Sequence, residues 1–308
     1  MTQPLASSTV LITGASSGIG LELARTFARH GHNLVLIVRN GRQLARLATE
    51  LRARHHITVE VLAQDLSAAG SADELVAQLQ QRSISIDILV NNAGIAIQGP
   101  FSQSNLDSQL TLLQLNIVAL THLTHRLLPY MLRQRFGRIL NIASIAAYFP
   151  GPLTATYNAS KAYVLSFSEA LANELQSTGV TVTALCPGPT RTNFAARAGL
   201  SSCKAFRRRT MHPASVARVG YDALMAGKRV VVPGFMNKLR MLPIHLLPRT
   251  LLARFSRKYH ETRATRSPSS MPPHRSHTGS TTFPATSRNS AVAAPTRSPS
   301  DSPGCKPK

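Results

Sequence analysis

A short β-rich apolar run, residues 9–12, breaks into TGASSGIG, residues 13–20, and the chain continues as LELARTFARHG. Apolar residues then recur at Ile19, Leu23, Ala24, Phe27 and Ala28, three and four apart as one face of an amphipathic helix requires, and Gly31 is placed to stop it. The feature is therefore a strand that enters a helix through a glycine turn. Gly14, Gly18 and Gly20 let the backbone turn tightly and approach a pyrophosphate, whose charge is favoured by the free N–H groups and dipole of the helix N-terminus. Glycines alone often mark only a turn; their place between strand and helix gives them weight.

The alternation continues. NLVLIV, Asn33–Val38, reads as a second strand ending in Arg39, Asn40, Gly41 and Arg42. A dinucleotide with a free ribose 2′-hydroxyl usually meets Asp or Glu roughly 20 residues past such a turn, whereas Arg there accommodates a 2′-phosphate. No carboxylate occurs between Gly31 and Thr49. The sequence thus favours NADP(H) over NAD(H), with Arg39 the first phosphate ligand and Arg42 the second; a solvated helix start is the alternative for both. A helix over about residues 43–55 leads to a strand at 58–63 and to Asp65, which can accept a bond from an adenine amino group or cap a turn. Residues 71–82 read as a helix capped by Ser71 with Glu74 three residues on, and 86–90 as a strand ending in Asn91, Asn92, Ala93 and Gly94. Asn bonds neighbouring backbone and Gly94 leaves room for a flat ligand, so this tetrad suits a strand end facing a cofactor, or an ordinary turn. Residues 105–133 read as one helical stretch that Pro129 bends or ends. Asn116 within it needs partners for its amide, either helix backbone or a distorted turn whose carbonyl holds a water.

The strand at 138–143 delivers Ser144, and SIAAYFPGPLTATYNASK, residues 144–161, runs into a helix at 155–176. On that helix Tyr157 and Lys161 stand four apart, so a phenol and an ammonium share one face. The positive charge is expected to lower the tyrosine pKa toward neutral pH, and Ser144 to hold a reacting oxygen. A surface Tyr–Lys pair is the plain alternative. Val180–Leu185 gives another strand ending in CPGPTRT, residues 186–192; a helix at 213–226 and a strand at 229–232 follow.

TGASSGIG, NNAG, Asn116, Ser144, YNASK and CPGPTRT occur together in the order and at the spacings of the short-chain dehydrogenase/reductase family, which the chain resembles over about residues 8–233. The resemblance implies a single Rossmann-like α/β domain with a doubly wound parallel sheet, and the alternation of strand and helix agrees independently. It also implies an oxidoreductase transferring a hydride between a nicotinamide and a carbonyl or secondary alcohol. Tyr157 would be the acid/base, Lys161 would depress its pKa and hold the nicotinamide ribose, Ser144 would polarise the substrate oxygen, and Asn116 would support a relay water. Gly14, Ser16, Ser17, Gly18, Ile19, Gly20, Arg39, Asp65, Leu66, Asn92, Ala93, Gly94, Pro187, Gly188, Thr190 and Thr192 would line the cofactor, with Tyr157 and Lys161 at its nicotinamide end. Homodimers or homotetramers built through the helices at 105–133 and 155–176 are the family's usual assembly. Fold alone does not imply catalysis, so a silent dinucleotide-binding scaffold is the alternative, which the full Asn116, Ser144, Tyr157, Lys161 set disfavours.

Residues 193–209, with Phe194, Leu200, Phe206 and Arg207 to Arg209, read as an apolar substrate cover with a basic rim, suited to a bulky hydrophobic substrate. Residues 234–261 form a basic, apolar extension that docks on an anionic membrane or a second subunit, or packs on its own domain. Residues 262–308 are rich in Ser, Thr, Pro and Arg and read as a disordered tail. A formal charge of +22 points to anionic partners, but no recognition element supports specific nucleic-acid binding. Cys186, Cys203 and Cys305 are widely separated, with no CxxC or Cys/His cluster, which argues for a reducing compartment and against a zinc site. No apolar segment is long enough to span a bilayer and no signal-like start is present, so the expected location is cytoplasmic.

Overall fold

Seven short apolar runs form the strands β1 (Thr9–Thr13), β2 (Asn33–Val38), β3 (Val59–Ala63), β4 (Ile88–Asn91), β5 (Gly137–Ile142), β6 (Val180–Leu185) and β7 (Val230–Val231). They lie parallel in the order β3-β2-β1-β4-β5-β6-β7. This is a computed structural model describing residues 8–201, 203, 206, 210–241 and 247–261; the side chains of residues 42, 43, 240, 241, 259 and 260 are also outside the description. Arg42 as a phosphate ligand, the run Arg207 to Arg209 and the tail 262–308 thus lie outside the described residues. All described residues belong to one compact unit.

Parallel strands buried on both faces carry continuous apolar runs, and the period of two then decides which layer each side chain joins. Val10, Ile12, Leu34 and Leu36 face one layer, which contains α1 (Gly18–Arg29), α2 (Ala45–His55) and α8 (Pro213–Met225). Leu11, Val35, Ile37 and Leu89 face the other, which contains α3 (Ser71–Gln81), α5 (Ala119–Gln134) and the end of α6 (Ala155–Glu174). The chain winds outward from β1 to β3, returns to β4, and winds outward again to β7. The reversal therefore falls between β1 and β4, and the crevice at their carboxyl ends is where such sheets bind ligands.

Local details depart from the sequence expectation. Ser71 is the first residue of α3, not its cap: Gly70 occupies that position with φ +76° and no side chain caps the helix. Glu74 instead accepts a bond from Gln64 Nε2 at 2.8 Å. The stretch at 105–133 divides into α4 (Leu106–Leu113), a π turn (Gln114–Val118) and α5, with Pro129 inside α5 without ending it. Asn105 caps α4, its Oδ1 accepting from the Ser108 N–H at 2.9 Å. Asn91 also differs. It points into the layer, where Nδ2 donates to Thr124 Oγ1 at 3.1 Å and to Asn141 Oδ1 at 2.9 Å, and Asn141 Nδ2 donates to Ser168 Oγ at 2.9 Å. These buried amides join β4, β5, α5 and α6 by partners that apolar packing could not register. No helix among the described residues is long and apolar enough to cross a membrane.

Asn141 is fully buried, so removing its amide strips Asn91 and Ser168 of partners they cannot replace with water. Asn141→Ala is expected to lower unfolding stability by about 1–3 kcal/mol in urea titration. An unchanged midpoint would show that the network carries no net stability.

Candidate active site

At the carboxyl ends of β1, β2, β4, β5 and β6 the loops enclose a cleft of about 660 Å³. One end is built by the glycine turn. Gly14 and Gly18 have φ of +67° and +61°, and a Cβ on Gly18 would stand 2.9 Å from Thr192 Cγ2, so the turn and the CPGPTRT loop approach closely where only glycine fits. The turn is tied to the loop after β4 through Thr13. Its Oγ1 accepts from the N–H groups of Asn92 and Ala93, both at 2.9 Å, while Asn92 Nδ2 donates to the carbonyls of Thr13 at 2.9 Å and Gly14 at 3.1 Å. Gly20 does not face the cleft; it packs against Asn92, which a Cβ there would strike.

Arg39 and Asp65, at the ends of β2 and β3, line the same end and are exposed. Asp65 Oδ1 accepts from the Ser67 N–H at 3.0 Å and from Ser67 Oγ at 2.6 Å, so it closes a turn. These bonds, and then the nearby Arg39 charge, hold its carboxyl below the usual range.

At the other end Ser144, Tyr157 and Lys161 share the wall. Ser144 follows β5 in extended backbone, accepts from the Ala146 N–H at 3.1 Å, donates to the Pro187 carbonyl at 3.5 Å, and lies near enough to the Tyr157 phenol to favour its charged form. Asn158 fixes this geometry, a role no spacing rule reveals: its Nδ2 donates to the carbonyls of Ala146 at 3.1 Å and Phe149 at 3.2 Å, joining α6 to the turn after Ser144. Lys161 is 6% exposed; its Nζ donates to the Ile142 carbonyl at 2.7 Å and stands 6.0 Å from the Tyr157 ring centroid. Tyr157 packs beside Phe194, with Leu200 in the same apolar cluster.

The electrostatics correct the expectation of a tyrosine acidified by its lysine. Desolvation pushes the Tyr157 phenol up to about 12, outweighing the nearby Ser144 hydroxyl, and pushes Lys161 down to about 8. In the chain alone, loss of hydration disfavours the charged form of each group. Lys161 still carries its proton at pH 7.

Asn116 lies in a distorted turn, as one of its two readings held, the π turn Gln114–Val118, and its side chain sits behind the cleft wall. Oδ1 accepts from the Ile95 N–H at 2.9 Å, and Nδ2 donates to the Ile95 carbonyl at 2.9 Å and to Ser160 Oγ at 3.0 Å. It thereby clamps the peptide after Gly94, so its partners are that loop and Ser160, not its own helix. Ser16, Ser17, Ile19, Leu66, Asn92, Ala93, Gly94, Pro187, Gly188, Thr190 and Thr192 all line the cleft.

Two contributors escaped the sequence reading. Arg197, on α7 (Asn193–Arg197), reaches back to Ser17 Oγ at 3.4 Å and lines the cleft beside the glycine turn. Leu252, Phe255 and Ser256, on α10 (Arg249–His260), add to its apolar wall together with Phe149 and Phe206. Phe206 was part of the expected cover, and α10 lies against the cleft as the alternative of residues 234–261 packing on their own domain allows, though no motif marked the side chains that reach it.

A dinucleotide fits this donor set. The positive-φ turn, the open N-terminus of α1 and Arg39 suit phosphates at one end, and Gly94 suits a flat ring near Lys161, since a Cβ there would stand 3.1 Å from Asn116 Oδ1 and 3.5 Å from Lys161 Nζ.

A family model described as short chain dehydrogenase matches residues 8–201. A short-chain dehydrogenase of Sphingobium yanoikuyae in complex with NADPH is 33% identical, with TM-score 0.69 over 79% of this chain and 97% of that one. The bulky-bulky ketone specific alcohol dehydrogenase of Comamonas testosteroni is 32% identical, with TM-score 0.66 over 78% and 93%. A short chain dehydrogenase/reductase of Burkholderia phymatum in complex with NAD is 26% identical, with TM-score 0.69 over 80% and 96%.

The lysine supplies a pH test. Its folded pKa of about 8 lies below the unfolded 10.5, so the unfolded chain binds more protons between those values and stability must rise with pH there. Between pH 8 and 10.5, wild type is expected to gain about 3 kcal/mol relative to Lys161→Met in denaturant titrations of the protein alone. A pH-independent difference would mean that Lys161 titrates as an exposed lysine.

Proposed function

The chain belongs to the short-chain dehydrogenase family, and on that premise we propose that it is an NADP(H)-dependent oxidoreductase interconverting a bulky, apolar ketone and its secondary alcohol. The observation that carries the reading is the convergence of Ser144, Tyr157 and Lys161 on one wall of the cleft that the glycine turn and Arg39 close at its far end. A bound nicotinamide dinucleotide would supply or accept the hydride. The protein's part is position, proton and field.

Tyr157 gives its phenolic proton to the carbonyl oxygen in reduction and takes it from the alcohol in oxidation. A phenol held up at about 12 keeps that proton at neutral pH until a developing alkoxide needs it. Ser144 shares the same oxygen through its hydroxyl and fixes its approach. Lys161 would hold the nicotinamide ribose and, by its charge, favour the phenolate at the moment of transfer. Asn116 acts through position: it clamps Ile95, and its distorted turn would present a carbonyl to a relay water. Arg39 would hold a ribose 2′-phosphate, and Asn92, Thr192, the α1 N-terminus and Asp65 would hold the rest of the dinucleotide. Phe149, Phe194, Leu200, Leu252 and Phe255 exclude water around the substrate, which supports an apolar ketone and agrees with the substrate named for the Comamonas testosteroni relative.

Arg39→Ala is expected to weaken NADPH binding about tenfold or more and NADH binding by less than about twofold, read by calorimetry, because only the 2′-phosphate loses a charge-assisted bond. Equal losses for both cofactors would remove Arg39 from this role. In a ketone-reduction screen Tyr157→Phe is expected to keep NADPH affinity and lose at least about 10²-fold in turnover, since the ring still packs on Phe194 while the proton is gone. A mutant as active as wild type would assign the proton to another group.

A further inference from the structure

A second surface adjoins the cleft and takes no part in the proton chemistry. Helix α9 (Phe235–Met241) is anchored by Asn237, whose Nδ2 donates to the Pro233 carbonyl at 2.8 Å and whose side chain fills the space beside Gly188. Phe235, Met236 and Leu239 are left 77%, 54% and 47% exposed on one face of this helix. Helix α10 buries Leu252 and Ser256 toward the cleft and exposes Leu251 and Phe255, four residues apart, with Phe255 52% exposed at the cleft's edge. Lys238, Arg249, Arg254 and Lys258 are exposed beside these apolar groups.

We propose that α9 and α10 dock the protein on an anionic phospholipid surface, with the mouth of the cleft at the lipid face. An apolar substrate then reaches Tyr157 from the bilayer and not through water. This last step rests on the function proposed above; the docking itself does not.

Charge selects the occupant. Residues 235–261 hold six Lys and Arg against one acid, Glu261, which pairs with Arg257 at 3.4 Å. A second copy of the chain would set these cations against their own kind. An anionic headgroup layer neutralises them while the acyl boundary takes the phenylalanines, methionine and leucines. Helices of seven and twelve residues are too short to span a bilayer, so they lie along its surface.

The chain contains no Trp, so Phe235→Trp places a single fluorescent reporter on α9. The full-length variant is titrated with phosphatidylcholine vesicles, pure or with about 30% phosphatidylglycerol, at about 0.15 M salt. The expected result is a blue shift of emission with the anionic vesicles alone, with binding at least about tenfold tighter than to neutral ones. Adding Met236→Ser and Leu251→Ser is expected to weaken that binding about tenfold without changing the melting temperature. Vesicle binding with no emission shift would mean that other basic residues hold the protein there, and would overturn the proposal. So would a concentration-dependent shift without vesicles, which would give the face to a second copy. Neither cofactor nor turnover enters the measurement, so docking can fail while NADPH binding and ketone reduction stand, and the reverse.

Discussion

The hydroxyl of Thr13 is the point on which the site depends. It accepts from two consecutive backbone N–H groups of the loop after β4 and reaches the Val90 carbonyl at 3.3 Å, while Asn92 returns two bonds to the backbone of the glycine turn. Parallel pairing of β1 with β4 brings the two strand ends together but leaves their last polar groups unmatched, since no further strand continues the ladder. Thr13 and Asn92 complete that pairing. Everything downstream uses the result: the open N-terminus of α1, the close approach of the Gly94 backbone to Asn116 and Lys161, and Asn116 holding Ile95 from behind.

Lys161 illustrates what the rest of the fold must supply. An ammonium taken out of water is costly unless its donors are satisfied. Here the Ile142 carbonyl, freed at the end of β5, takes one bond, and the remaining side chain runs through the wall below Tyr157. The same burial that lowers the lysine raises the phenol, so two groups of nearly equal proton affinity in water, 10.5 and 10.0, are driven apart to about 8 and about 12. They separate because loss of hydration disfavours the charged form of each, which is the deprotonated form of the phenol and the protonated form of the lysine.

Much of this was legible before any coordinates. Strand positions followed from apolar runs, because burial on both faces leaves little room for other spellings. The grouping of Ser144, Tyr157 and Lys161 on one wall followed from the end of β5 and the four-residue step from Tyr157 to Lys161. What stayed hidden depends on partners distant in sequence. Asn91 ends β4 exactly as a cofactor ligand would, yet Thr124 and Asn141 draw it inward. Asn116 reads the same whether it faces a cleft or a loop. Arg197 and the wall from α10 carry no motif, since their positions are set by where long connections return to the sheet. The sign of the tyrosine shift was missed because spacing reports proximity and says nothing of dehydration.

The composition of that outer wall links the chemistry to the surface charge. A proton transfer from a high-pKa phenol gains from a dry site, where the fields of Lys161 and Ser144 act with little screening. Drying the cleft requires apolar side chains at its mouth, and those on α10 cannot all be covered by a domain whose sheet ends at β7, so Phe255 faces both the cleft and the exterior. A helix with such a face would promote association between copies unless its flanks opposed it. Arg249, Arg254 and Lys258 do oppose it, and they leave an anionic surface as the environment that satisfies the apolar face and the cations together. The demand for a water-poor reaction site and the basic character of residues 235–261 therefore have a common physical origin at the mouth of the cleft.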